Sequence, residues 1–239
     1  MLHQFSPLLA VSAIAVVGAT LSVTKAQAVT MNIQSLYNTG VDNNGQALPG
    51  NTTDPHYTLV SQPSGGVVTN STVPSGTFPL NNGGPWLANS STSNWIGSNS
   101  NSSPAGDYTF QTTFNLPNEA ILSTAQILGQ WTADNTARIF LNGFDTGNVK
   151  ANGNSFKQTY SFSINHYFQF GNNTLSFVVN NSNIFPSSPV GLRVAAISGT
   201  YEAVPEPLTI IGSIAALGFG AKMERKFSRK KAKKAESEA

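Results

Sequence analysis

Between residues 105 and 203 apolar side chains recur at every second position, and that period decides what the chain can fold into. Tyr108, Phe110, Thr112, Phe114 and Leu116 fall on one face of an extended segment. Phe156, Gln158, Tyr160, Phe162 and Ile164 repeat the pattern. Ile139 and Leu141 carry a shorter version that runs into Asn142-Gly143. That pair tolerates the positive φ angles of a tight hairpin turn. Leu175, Phe177 and Val179 follow Gly171-Asn172-Asn173, and Val190, Leu192 and Val194 precede a last strand near Tyr201. Helical spacing is scarce, with room for one short turn over 118–125. Strands at these intervals, punctuated by Gly, Asn and Pro, predict an all-β chain built as one antiparallel β-sandwich.

The preceding third is different. Residues 38–104 are rich in Gly, Pro, Asn and Ser and hold few apolar runs. They read as a long irregular cap that Tyr57, Phe78, Trp86 and Trp95 anchor to a sandwich core over 105–203. The chain has no cysteine, so hydrophobic packing and backbone hydrogen bonds must hold the fold without disulfides.

Both ends read as addresses. An apolar, small-residue run from Leu8 to Val23 leads to Ala26-Gln27-Ala28, a small-x-small cleavage pattern, so residues 1–28 are expected to be a secretory signal. The first seven residues lack Lys and Arg, which departs from the usual basic start. At the other end Pro205-Glu206-Pro207 precedes an apolar run over 208–221 and then a tail holding eight of the 13 Lys and Arg. As a helix that run would be roughly 21 Å long, short for a bilayer core of about 30 Å, so spanning requires thinning or lysine stems reaching the interface. The alternative is a buried core helix with a solvated charged tail. The clustered cations favour the membrane and place the rest of the chain on the far side.

With both ends set aside, residues 29–204 carry four basic and seven acidic residues, a net charge of −3. The basic pI of about 8.9 therefore belongs to the tail, which argues against a nucleic-acid surface.

The ordering of Pro205-Glu206-Pro207, apolar helix and basic tail resembles the PEP-CTERM sorting signal of exported bacterial proteins. The resemblance implies partners in the secretion machinery and an exosortase-like membrane protease that removes the tail. It also implies a final place in the cell envelope, at the surface or in the extracellular matrix. A second resemblance covers residues 105–200. Trp131-Thr132-Ala133-Asp134-Asn135, Ile139 to Gly143, Gly171 to Phe177 and Gly191-Leu192-Arg193-Val194 are similar to the pattern of galactose-binding-like jelly rolls. That implies a jelly-roll fold of a kind found beside glycosidases, with or without a bound sugar.

Candidate chemistry is sparse. Asp54-Pro55-His56 puts a carboxylate beside an imidazole, suited to metal or proton transfer. The same residues also suit an Asx turn with His56 packed on Trp86 or Trp95. Asp134, Asn135 and Asp145 could supply oxygens to Ca²⁺, or simply form turns; Asp134 and Asp145 are also the carboxylates that glycoside hydrolysis would need. Trp86 and Trp95, in the polar cap, are candidates for a sugar-stacking platform or for pins that hold the cap. His166, among Tyr167, Phe168 and Phe170, reads as structural. No Gly-x-Ser-x-Gly motif occurs. The expectation is a non-enzymatic surface or matrix protein, structural or adhesive in exopolysaccharide and biofilm. A carbohydrate-binding module is the alternative, and a polysaccharide hydrolase the third reading.

Overall fold

The computed structural model describes residues 27–63, 86–98, 103–150, 155–182 and 189–204. Among these residues ten strands pair antiparallel into two five-stranded sheets. The first sheet runs β1 (Val29–Asn32), β10 (Gly191–Ala203), β5 (Ala120–Asp134) and β8 (Tyr160–Ile164), with β3 (Ile96–Gly97) beside β1 on the edge of β10. The second runs β2 (Thr58–Ser61), β4 (Gly106–Leu116), β9 (Gly171–Asn181), β6 (Thr136–Leu141) and β7 (Phe144–Lys150). The arrangement is consistent with a jelly-roll sandwich.

Alternation in the sequence becomes the core between the sheets. Tyr108, Phe110, Thr112, Phe114 and Leu116 of β4 are all buried, as are Leu175, Phe177 and Val179 of the neighbouring β9. Opposite them lie Ile127 and Trp131 of β5 and Phe162 of β8. The Phe177 ring bridges the sheets, 6.0 Å from Trp131 and 6.1 Å from Phe162. Each such side chain removed from water contributes roughly 1.5–3 kcal/mol, so this layer can hold the domain without cross-links.

Three expectations are corrected. Residues 118–125 hold a tight turn only at Asn118–Glu119, closed by the Ala120 N–H on the Pro117 carbonyl at 3.1 Å, and the rest is strand: β5 starts at Ala120, pairs there with β10 and from Ile127 also with β8. Those ladders satisfy its backbone in a way that one isolated turn cannot. The segment 156–164 is not one strand, because Ser155–Lys157 forms a 3-10 turn and only Tyr160–Ile164 is extended. The 38–104 region is more than a cap, since it supplies β2 to one sheet and β3 to the other. No helix among the described residues is long and apolar enough to cross a membrane. Ala26, Pro205, Glu206, Pro207 and the 208–221 run lie outside the described residues, as does Phe78. Ala28 is exposed directly before β1.

Strand direction defines two ends. Val29 pairs with Ala203 and Ala203 with Ala120, while Leu116 pairs with Gly171 and Leu141 with both Leu175 and Phe144. These residues mark one end of the sandwich. Asp134, Gly191, Gly97, Gly106 and Asn181, paired in the same ladders, mark the other.

Candidate functional site: an aromatic platform at one end of the sandwich

Trp86 and Trp95, read from the sequence as either a sugar-stacking platform or pins for the cap, are buried at the end marked by Asp134 and Gly191, the closed end. Trp95 is fully buried and Trp86 is 6% exposed, with their ring centroids 4.3 Å apart. Each indole N–H has an acceptor: Trp95 donates to the Leu87 carbonyl at 2.7 Å and Trp86 to Asp134 Oδ2 at 2.9 Å. Room for them comes from Gly191, where a Cβ would fall 2.5 Å from the Trp86 ring. Buried Arg193 completes the closure, its Nε donating to Ser93 Oγ at 2.9 Å and an Nη to the Ala88 carbonyl. Trp86 and Trp95 therefore pin the cap and are not available as a sugar platform. Polar neighbours in sequence do not make a ring exposed when its N–H can be satisfied inside.

Asp54 and His56 are also built into the fold. Asp54 is fully buried, and its carboxylate accepts from the backbone N–H groups of Gly40 at 2.6 Å, His56 at 2.7 Å and Tyr57 at 3.2 Å. Burial raises its pKa despite those three donors. His56 stacks on Tyr37, 3.6 Å between centroids and 5° from parallel, rather than on either tryptophan. The pair is a loop staple with its carboxylate sealed from solvent.

The Asp134, Asn135 and Asp145 set does not converge. Asp134 precedes β6, whereas Asp145 pairs with Phe140 near the far tip of the β6–β7 hairpin. Six residues of strand separate those positions by about 20 Å. Asn135 Oδ1 already accepts from Ser182 N and Oγ at 2.9 Å each, and Asp145 pairs with Arg138 at 3.5 Å. Calcium needs six to eight oxygens, and these residues do not fit it. The same separation exceeds the ~5–10 Å that paired glycosidase carboxylates use. No group of three or more His, Cys, Asp or Glu that could hold a metal occurs among the described residues. Asp134 stands apart for another reason. It is 4% exposed, its Oδ1 has no partner, and burial raises its pKa from 3.8 to about 7, opposed by the Trp86 hydrogen bond.

The open end carries the exposed rings. Asn142 and Gly143 adopt φ of 53° and 84°, the paired positive angles of a two-residue hairpin turn, and so project Phe144 from the tip. The Phe144 ring lies 4.9 Å from that of Tyr167 and 22° from parallel, with the two residues 58% and 45% exposed. Phe170, on the same 165–171 loop, is 50% exposed. Phe168 points the other way, half-buried, and meets Phe114 edge-on at 6.2 Å. The loop is thus anchored by one ring and presents two.

Two asparagines fasten the platform from behind. The Asn142 side-chain amide donates to the Tyr167 carbonyl at 2.8 Å and to Asn173 Oδ1 at 2.9 Å, and its oxygen accepts from Thr174 N at 2.9 Å. Fully buried Asn173 accepts from Gln169 N at 2.9 Å and donates to the Gln169 and Gly171 carbonyls at 2.7 and 3.0 Å. Together they hold Tyr167 at a φ of 68°, a conformation a bulky residue rarely adopts. Around the rings stand exposed Asn165, His166, Gln169 and Asp145. His166 meets Tyr167 edge-on at 4.4 Å and its Nδ1 lies 2.8 Å from Asn165 Oδ1. Sequence reasoning took the Asn-Gly and Gly-x-Asn-x-Leu residues as marks of the fold and His166 as structural. The same reading grouped Tyr167, Phe168 and Phe170 around His166 as packing, and nothing local in the sequence separates the ring that turns inward from the two that stay in solvent.

No family model matches the chain, and no curated protein matches it. Among solved structures, CBM35 from Paenibacillus barcinonensis is similar over 70% of this chain and 98% of its own, at 11% identity and a TM-score of 0.29. The family 35 carbohydrate binding module from Clostridium thermocellum is 22% identical over 43% of this chain and 78% of its own, with a TM-score of 0.25. A putative beta-galactosidase from Bacteroides fragilis is 18% identical, covering 40% of this chain and 16% of that one, with a TM-score of 0.28. The chain spans between 16% and 21% of the length of that enzyme and two beta-glucuronidases it also matches. At these scores the likeness carries no argument about ligand or activity.

Proposed function

We propose that this chain is an exported β-sandwich that binds extracellular polysaccharide through Phe144, Tyr167 and Phe170. One observation carries the reading: large aromatic rings stand in solvent on loops whose backbone is wired in place by Asn142 and Asn173. An exposed apolar surface held rigid is a binding surface rather than an accident of folding. A pyranose presents an apolar face of C–H groups that lies against a ring, and its hydroxyls need donors and acceptors at the rim. Asn165, His166, Gln169 and Asp145 supply them. Because the loops are already ordered, little conformational entropy is lost on binding. The protein's role is attachment and not turnover. Export through the amino-terminal signal and sorting through Pro205-Glu206-Pro207, as the PEP-CTERM resemblance implies, would deliver this surface to the envelope or matrix where such polymers lie.

The test is a panel of bacterial exopolysaccharides assayed by affinity electrophoresis with the chain and its Phe144→Ala and Tyr167→Ala variants. Retardation that falls about tenfold in both variants, with unchanged circular dichroism, is the expected result. No retardation by any polymer, or retardation indifferent to both substitutions, would leave a non-binding structural or spacer role.

A further inference from the structure

The platform shares its end of the sandwich with both places where the chain leaves the domain. Val29, at the start of β1, pairs with Ala203, and the backbone N–H of Val204 donates to the Glu119 carbonyl at 3.4 Å in the turn between β4 and β5. That turn continues from Leu116, the partner of Gly171 at the foot of the 165–171 loop. The last described residue before the sorting motif therefore lies at the same end as Phe144, Tyr167 and Phe170. Two strand spacings separate β10 from β8, about 10 Å, and the second sheet adds about 10 Å across the sandwich.

Exposed apolar residues gather at that end. Of the eight large hydrophobics exposed among the described residues, five are Val29, Val204, Phe144, Tyr167 and Phe170. Leu128 lies along β5, and Met31 is two residues in from Val29. Among the described residues Val149 is the one that lies toward the closed end, where Trp86 and Trp95 are sealed. Five of eight at one end is a concentration that suits contact with something apolar.

The sequence says what is within reach. Only Pro205, Glu206 and Pro207 separate Val204 from the apolar run that starts at Leu208. Four residue steps span at most about 14 Å fully extended, and two prolines restrict the linker further. A tail inserted in a membrane would hold this end of the domain against the lipid surface, with the rings facing it. Aromatic side chains favour that interfacial zone.

We propose that the platform is a membrane-facing surface while the tail is attached, and that tail removal frees the same rings for polysaccharide. The inference rests on the tail acting as a membrane segment and on the polysaccharide reading above. It turns processing into a switch: the anchored form is masked and the released form is competent.

The experiment reconstitutes the full chain carrying Phe144→Trp in phosphatidylcholine vesicles containing dibrominated lipid, a short-range quencher. The native tryptophans are internal references, because Trp86 and Trp95 lie at the opposite end and Trp131 in the core. Quenching confined to the variant is expected, and it should vanish in a chain ending at Val204. A Tyr167→Trp chain repeats the measurement should the first variant fold poorly. Polysaccharide binding by the vesicle-held chain should be at least tenfold weaker than by the chain ending at Val204. Absence of quenching in both variants overturns the proposal. So does equal polysaccharide binding by the two forms, or a full chain that does not float with the vesicles. If quenching occurs but the released chain binds no polysaccharide, membrane contact stands while the switch and the polysaccharide function both fall.

Discussion

At one end of the sandwich Trp86 and Trp95 lie 4.3 Å apart beneath a polar loop; at the other, Phe144 and Tyr167 lie 4.9 Å apart and stand in solvent. The ring contacts are nearly alike, and the surroundings make the difference. At the closed end Gly191 makes space, the Leu87 carbonyl and Asp134 satisfy the indoles, and Arg193 ties the cap to β10. At the open end the hydrogen bonds of Asn142 and Asn173 are spent on backbone, which fixes the loops and leaves the rings uncovered. One pair of rings therefore holds the fold and the other is held by it.

The sharpest way to break this comparison is to truncate one member of each pair. Trp95→Ala should destabilise the protein by about 3–5 kcal/mol, since it opens a large cavity in a sealed site. A thermal midpoint lowered by less than a few degrees would mean that the cap does not depend on that ring. Truncation of Phe144, by contrast, should barely move the midpoint.

The closed end should also respond to pH. The Asp134 carboxyl keeps its proton up to about pH 7 in the folded state, whereas in the unfolded chain it ionises near its ordinary value of 3.8. Between those values the folded protein binds the extra proton, so stability falls as pH rises through the interval. The full loss, on the order of 3–4 kcal/mol, is in place above about pH 7. Buried Asp54, also raised, acts in the same direction. Denaturant midpoints measured from pH 4 to 8 should fall in the native chain and fall less in Asp134→Asn. Parallel profiles would remove Asp134 as the cause.

How far the sequence foretold these two ends depends on how local each determinant is. The period-two faces of β4, β6, β9 and β10 were legible because alternation is a property of the strand itself. The start of β5 was not, since its first residues are extended only through the ladder to β10. The sequence left Trp86 open between platform and pin for a related reason: its burial is set by Gly191, about a hundred residues away in sequence. The separation of Asp134 from Asp145 needed the hairpin register. The Asn142-Gly143 turn was readable, yet the role of its side chain was not, because Asn173 and Tyr167 meet it only after folding.

Asn173→Ala probes the link between fold and platform. The substitution strips partners from the part-buried backbone groups of Gln169 and Gly171 and from the Asn142 amide, at a cost of about 1–2 kcal/mol. It touches no exposed ring. If the platform works because it is preorganised, polysaccharide binding should weaken in this variant at temperatures where the protein remains folded. Unchanged binding would show that the rings act without the wiring.

The smallest effect on stability should fall on Phe144 itself. At 58% exposure its ring contributes little to the core, so Phe144→Ala should change stability by less than about 0.5 kcal/mol. Loss of one stacking ring should nonetheless weaken polysaccharide binding about tenfold, the equivalent of ~1.4 kcal/mol. The two numbers must be read together. A large stability loss would make Phe144 a structural ring like Trp95. Only a small stability change joined to a clear binding loss fits a ring whose position the fold supplies and whose exposed face serves a ligand.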